Sequence, residues 1–328
     1  MTHEERMHAL ASFGFTPRQA SFLALVMLHA GVCLGRHYCA HAGIVRGQKS
    51  HDFFQTLVSR GFATASHTEH HGTRLYHVHG KRLYRAIGEP DDRHRRPVTL
   101  ARAIERLMVL DGLLTEPETL WLATPQEKVE HFSKVTALPL EQLPGRGAGD
   151  REGPRRPFPD PWPIGCPRDG EPHVFLYLVT NPSPLDFRGF LHRHAPLLRA
   201  LSRWEIRLLV SARLETSVRR FESAAIEELA SPLSPSEPAD MNWYFDQQRL
   251  VKTGRPSDDP TRFAALRRAF AMQRYWALYR MWKERGDAAL YDATSPMLST
   301  AMEVEDGRVT CHVLPHDYLR LTSLVGTA

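Results

Sequence analysis

Residues 43–62 read GIVRGQKSHDFFQTLVSRGF. A glycine opens the stretch, a polar run from Arg46 to Asp52 follows, and Phe53, Phe54, Leu57 and Val58 then recur before Gly61. Apolar residues three and four apart share one face of a helix. A glycine just past the last of them is a stop signal. The stretch therefore predicts a helix over Arg46–Arg60 with a polar first turn and a buried later face.

Upstream, Thr16 is a good N-cap and Pro17 suits the first helical position. Ala20, Leu23, Ala24, Met27 and Leu28 then follow at helical spacing to Gly31. Cys33–Ala42 reads as a second, short helix stopped by Gly43. Downstream, Phe62–Ala65 reads as a strand and Glu69–Thr73 as a turn. Arg74–His79 (RLYHVH) alternates as a strand does, with Leu75, His77 and His79 on one side and Tyr76 and Val78 on the other. Three helices followed by a hairpin predict a winged helix-turn-helix domain over residues 1–97.

Charge falls in the same place. Residues 1–100 carry 13 Lys and Arg against 7 Asp and Glu, whereas the remainder carries 29 against 30. The first hundred residues also hold 12 of the 18 histidines. A local basic field over a compact helical module is the electrostatic footprint of a DNA-binding domain.

In a helix-turn-helix, the start of the second helix of the motif faces the base edges. Here that start carries Arg46, Gln48, Lys49, Ser50 and His51. Arg and Gln make bidentate contacts with guanine and adenine, and Lys49 and Ser50 suit phosphates or bases. Around the hairpin stand His67, His70, His71, Arg74, His77, His79, Lys81 and Arg82. Of these, Arg74, Lys81 and Arg82 are the expected phosphate contacts. The partner so implied is double-stranded DNA.

The four cysteines, Cys33, Cys39, Cys166 and Cys311, form no C-x-x-C pair, which argues against a zinc ribbon and a disulfide framework. Cys33, His37 and His41 are spaced by four and would align on one helix face. A His-rich segment gives that alignment by chance, so a structural or exposed role is the expectation. No metal and no cofactor is expected. No apolar run reaches about 18 residues, so no membrane partner is expected. The first ten residues lack a secretory layout, and with the unpaired cysteines this points to a reducing cytoplasm.

The rest of the chain reads as residues 98–138, a helical connector; 139–163, a Pro/Gly/Arg-rich linker; and 164–328, an α/β domain with a helical tail. In the connector, Leu100–Leu114 is amphipathic through Ile104, Leu107, Met108 and Leu110, and is the candidate for pairing two protomers as a homodimer. Thr124 and Glu127 stand at capping-box spacing. His173–Thr180 suits a buried strand, Asp186–Arg203 a helix and Ile206–Val210 a second strand, as in a parallel crossover. Helices are expected over Val218–Leu229, Asn242–Val251 and Pro260–Tyr291, and a hairpin over Ala301–Leu314. The aromatic stripe Tyr275–Trp282 reads as core packing. The fold class expected is α+β: a winged helix-turn-helix followed by a smaller α/β domain, for which a degenerate nuclease-like core is one option, with a helical C-terminal region.

A restriction-type nuclease needs an acid before a strand, then a carboxylate and a lysine on it, to hold Mg²⁺. Asp160 or Asp169 offers the first acid, but His173–Thr180 holds neither acid nor lysine. No Walker loop, dinucleotide loop or nucleophile elbow is present, and Gly145–Gly149 follows no strand. No catalytic residue is assigned, and the chain is not expected to be an enzyme.

The N-terminal segment resembles replication-relaxation-type winged-helix proteins of plasmids and mobile elements. The resemblance lies in Phe15–Thr16–Pro17–Arg18–Gln19, in Phe53–Leu57–Val58–Ser59–Arg60–Gly61–Phe62 and in Arg74–Leu75–Tyr76–His77–Val78 with the basic helix after it. Arg168–Asp169–Gly170 before His173–Thr180 is similar to the acid-before-strand element of the second domain of such proteins. The resemblance implies DNA binding in plasmid replication or transfer. The function expected is sequence-specific, non-catalytic duplex binding, in that role or in transcription control. A nuclease acting through the C-terminal domain and a winged helix that binds protein are the alternatives.

Overall fold

The N-cap expected at Thr16 forms a full capping box. The Thr16 hydroxyl accepts from the Gln19 backbone N–H, and the Gln19 side-chain oxygen accepts from the Thr16 N–H at 2.9 Å. The computed structural model that contains it describes residues 1–67, 74–147, 155–167, 170–316 and 318. The chain divides into two units. Unit 1 is Met1–Ala123 with Leu209–Arg213 and His312–Ala328, and unit 2 is Thr124–Leu208 with Leu214–Cys311. Each holds helices and strands, so the class is mixed α+β.

Unit 1 runs α1 (His3–Ala11), α2 (Pro17–His29), β1 (Val32–Leu34), α3 (Gly35–Ala42), α4 (Gln48–Ser59), β2 (Ala63–His67), β3 (Arg74–Val78), α5 (Lys81–Ala86), α6 (Leu100–Leu114) and β4 (Leu120–Leu122). Strands β1, β2 and β3 pair in the order β1-β3-β2, both pairings antiparallel. The register sets Leu34 against Leu75 and His67 against Arg74. The helix expected over Cys33–Ala42 is therefore a strand followed by a helix. Val32, Cys33 and Leu34 are all buried and spend their backbone groups on β3. Gly31 makes the turn into β1 at φ +69°, where a Cβ would lie 2.5 Å from the His94 carbonyl oxygen. Only glycine fits there.

An aromatic core holds α2, α3, α4 and β3 together. Tyr38 stacks on Phe53 with ring centroids 4.4 Å apart, and Phe54 on Tyr76 at 4.0 Å. Such ring pairs add to the area they bury. Helix α6 belongs to this unit and packs on α2, α3 and β1. Ala103, Leu107, Met108, Leu110 and Leu113 are all buried. The apolar face expected to pair two protomers as a homodimer through Leu100–Leu114 is thus used inside unit 1.

Unit 2 opens with α7 (Pro125–Val135), capped as expected by Thr124 and Glu127. There follow β5 (Gly145–Arg146), β6 (Arg156–Pro157), β7 (Ile164–Cys166), β8 (His173–Val179), α8 (Leu185–Ala200), β9 (Trp204–Ser211), α9 (Val218–Ala225), α10 (Glu237–Lys252), α11 (Pro260–Ala269), α12 (Gln273–Arg285), α13 (Ala288–Asp292), α14 (Met297–Glu303) and β10 (Gly307–Leu314). Four strands lie in the order β10-β9-β8-β7, with β7 and β8 antiparallel. Strand β8 is buried on both faces, as its continuous apolar run requires.

The single helix expected over Pro260–Tyr291 is three helices. Phe245, Phe270, Leu278 and Trp282 pack in one cluster, with Tyr275 and Tyr279 against it, while Trp276 is 60% exposed. The hairpin expected over Ala301–Leu314 is instead the end of α14 followed by β10, which pairs with β9. Among the described residues no helix is long and apolar enough to cross a membrane.

Candidate nucleic-acid interface

The loop between α3 and α4 turns on Gly43, at φ +61°. Gly47 caps α4, so Gln48, Lys49 and Ser50 are its first three residues. Phe53, Phe54 and Leu57 anchor the inner face. The outer face is left with Gln48, Lys49, His51, Asp52 and Gln55, all exposed.

The predicted residues do not form one patch. Arg46, Ser50, His51 and Arg74 border one groove of about 340 Å³, together with Arg36, Cys39 and Tyr76. No acidic residue is among its described lining residues. Lys49 lies on the other side of α4 with Arg18, Thr16 and Asp52. The Gln48 amide donates to Asp52 Oδ1 at 2.5 Å, so it is engaged along its own helix. Lys81 and Arg82 open α5, past the far end of β3 from Arg74. Four strand steps of about 3.3 Å separate the two ends by roughly 13 Å. The Arg82 guanidinium lies over the Phe13 ring, 5.8 Å from its centroid. Lys81 and Arg82 are therefore basic residues of the α1–α5 side and not of the groove.

Ser50 is turned inward. It is 4% exposed. Its hydroxyl donates to the Gly47 carbonyl at 2.8 Å and accepts from the Gly47 N–H at 3.2 Å. A serine one turn into a helix commonly satisfies local backbone groups in this way. His77 is also turned inward, its Nε2 2.9 Å from the His94 carbonyl oxygen. Burial lowers its pKa. A neutral His77 donating to that carbonyl fits both observations. His70, His71 and the turn at Gly72 lie outside the described residues, as do Asp169 and the side chain of His67.

Arg36 is the groove residue that sequence reading misses. Its guanidinium reaches Asp111 at 2.9 Å and 3.0 Å and also meets the Tyr318 hydroxyl. Tyr318 donates to Asp111 Oδ2 at 2.5 Å, and His37 Nε2 stands 3.1 Å from Oδ1. The Leu34 N–H donates to His37 Nδ1 at 3.0 Å. That nitrogen therefore carries a lone pair, and His37 is a neutral ring donating from Nε2. Burial lowers the His37 pKa accordingly. Burial alone would raise the Asp111 carboxyl, but hydrogen bonds from His37, Arg36 and Tyr318 hold it at about 2. The result is a buried carboxylate that fixes an arginine at the groove.

The other chemistry weighed from sequence resolves as follows. Cys33 and His37 are buried, and His41 packs on the Phe22 ring at 5.5 Å. The three do not converge as metal ligands. Asp160, the alternative nuclease acid, is held by Arg193 at 2.7 Å and 3.1 Å. No protein-family model matches the sequence, and neither a curated protein nor a solved structure matches it.

Proposed function

We propose that unit 1 is a winged helix-turn-helix that binds duplex DNA without catalysis. Helix α4 enters the major groove, and the β2–β3 hairpin lies on the phosphate backbone. The observation that carries this reading is the meeting of Arg36, Arg46, His51 and Arg74 at one groove beside the start of α4. Antiparallel pairing in the order β1-β3-β2 is what brings Arg74 to the end of the sheet nearest that start. Guanidinium groups at one groove suit phosphates, Arg36 being held there through its ion pair with the buried Asp111, and Arg46 stands where a base-reading arginine would.

The test is binding of the full chain to mixed-sequence duplex across about 50–300 mM salt. Each phosphate contact contributes about 0.9 to the log–log slope. Arg74→Ala is expected to lower that slope by about one contact. Lys81→Ala is expected to leave it nearly unchanged. No binding at the lowest salt would overturn the reading in favour of a protein partner for this face.

The resemblance to plasmid and mobile-element proteins supports a specific duplex target in replication, transfer or transcription control. Selection from random duplexes is expected to converge on one motif. A pool that stays random would remove the sequence-specific part and leave the electrostatic part.

A further inference from the structure

Unit 2 holds a second constellation, separate from the groove and independent of the DNA reading. Strands β7 and β8 pair with Ile164 opposite Phe175 and Gly165 opposite Val174. Continuing that register by one residue sets Cys166 opposite His173, as cross-strand neighbours on one face. His131, near the end of α7, completes the group. His131 Nε2 is 2.9 Å from His173 Nε2 and 3.5 Å from Cys166 Sγ. All three ligand atoms lie within 4.8 Å of one another, and no other such group occurs among the described residues.

We propose that His131, Cys166 and His173 bind a single zinc(II) ion. Zinc takes nitrogen at about 2.0–2.1 Å and sulfur at about 2.3 Å in a tetrahedron, which sets ligand atoms roughly 3.3–3.6 Å apart. The His131–Cys166 pair already stands at that separation, the two nitrogens need open by only a few tenths of an ångström, and His173 lies within 4.8 Å of the sulfur. The donor set, two imidazoles and one thiolate, is one that zinc favours. Cys166 and His173 are buried and His131 is half-buried. The Phe132 ring lies 5.4 Å from His173 and 4.9 Å from His131, and Phe158 and Phe175 stack on Phe132 in turn.

Protonation agrees with the geometry. Burial holds both histidines below their ordinary pKa, His173 at about 4, so both rings are neutral at pH 7. Burial pushes the Cys166 thiol up to about 12. The thiol gives up its proton to solvent on binding, and the metal supplies the charge that stabilises the thiolate. Three protein ligands leave a fourth position for water. The ion would tie α7 to the β7–β8 hairpin.

The test uses the full chain, stripped of metal with a chelator and titrated with Co²⁺, which reports a thiolate ligand by a sulfur-to-metal charge-transfer band. Saturation is expected at one equivalent, with the band lost in Cys166→Ser, kept in Cys33→Ser and abolished by competing Zn²⁺. His131→Ala, at a half-exposed helix position, is expected to keep its circular dichroism. It should weaken binding by more than the roughly 10–100-fold that outer-shell changes cost. This second variant decides the matter if Cys166→Ser does not fold. Binding without the charge-transfer band would mean capture by histidines elsewhere and would overturn the proposal. A band that survives Cys166→Ser, or wild-type affinity in folded His131→Ala, would overturn it equally.

Discussion

Replacing Asp111 by asparagine keeps the side-chain shape but removes the buried negative charge. The carboxyl is held at about 2, against 3.8 for an ordinary aspartate. That difference, at about 1.36 kcal/mol for each pH unit, makes the ionised form contribute roughly 2.4 kcal/mol to the stability of unit 1. The group is buried, so solvent screening takes little from this figure. Because the folded-state pKa is depressed, the contribution is complete above about pH 4 and is lost as pH falls through about 2. Asp111→Asn is therefore expected to destabilise unit 1 by about 2 kcal/mol at pH 7. The gap to wild type should shrink to below about 1 kcal/mol by pH 2.5. Urea unfolding at pH 7, 4.5 and 2.5, followed by pulsed hydrogen exchange on peptides from α2 and α6, measures the gap within this unit alone. A gap that stays constant with pH would show that Asp111 acts through shape and not through charge. No gap at pH 7 would show that the ion pair with Arg36 contributes nothing net, and the reasoning would fail.

Other outcomes follow from the same structure. Ser50→Ala should cost about 1 kcal/mol in thermal unfolding through the lost Gly47 bonds, yet leave the salt slope of DNA binding intact; a lowered slope would restore Ser50 as a contact. Phe54→Ala removes a buried ring stacked on Tyr76 and should cost about 3–5 kcal/mol by urea titration. A cost below about 1 kcal/mol would mean that the α4–β3 contact is loosely packed. Gly31→Ala forces a Cβ onto the His94 carbonyl in a left-handed turn and should cost at least about 1–3 kcal/mol. Wild-type thermal stability in that variant would refute the close approach.

Where signals are local, the sequence carries them well. Thr16-Pro17-Gln19 and Thr124-Glu127 announce helix starts because the cap is made by residues three apart. The apolar spacing of Phe53, Phe54, Leu57 and Val58 announces the buried face of α4 for the same reason, although Val58 lies at its edge and is 39% exposed. Strand β1 is missed because three residues carry no period of their own, and Val32–Leu34 is a strand only through β3, more than 40 positions later. Ser50 misleads because a polar residue on a polar turn gives no hint that its hydroxyl bonds backward. Helix α1 is missed although Thr2 and Glu5 form a capping box, since its apolar stripe is thin. The zinc constellation escapes notice because His131 lies 35 positions before Cys166, and only the hairpin register joins Cys166 to His173.

The bond from Arg36 to Tyr318 spans 282 positions of chain. A ribosome completes the helices and hairpin of the basic module long before residue 318 leaves the exit tunnel. Until then Asp111 lacks one of its three donors, and Arg36 lacks the ring that flanks it, 5.3 Å from its centroid. The arginine that completes the groove is thus set in place last, so an unfinished chain carries the fold of the module without this anchor. Synthesis itself delays when that arginine reaches its final position.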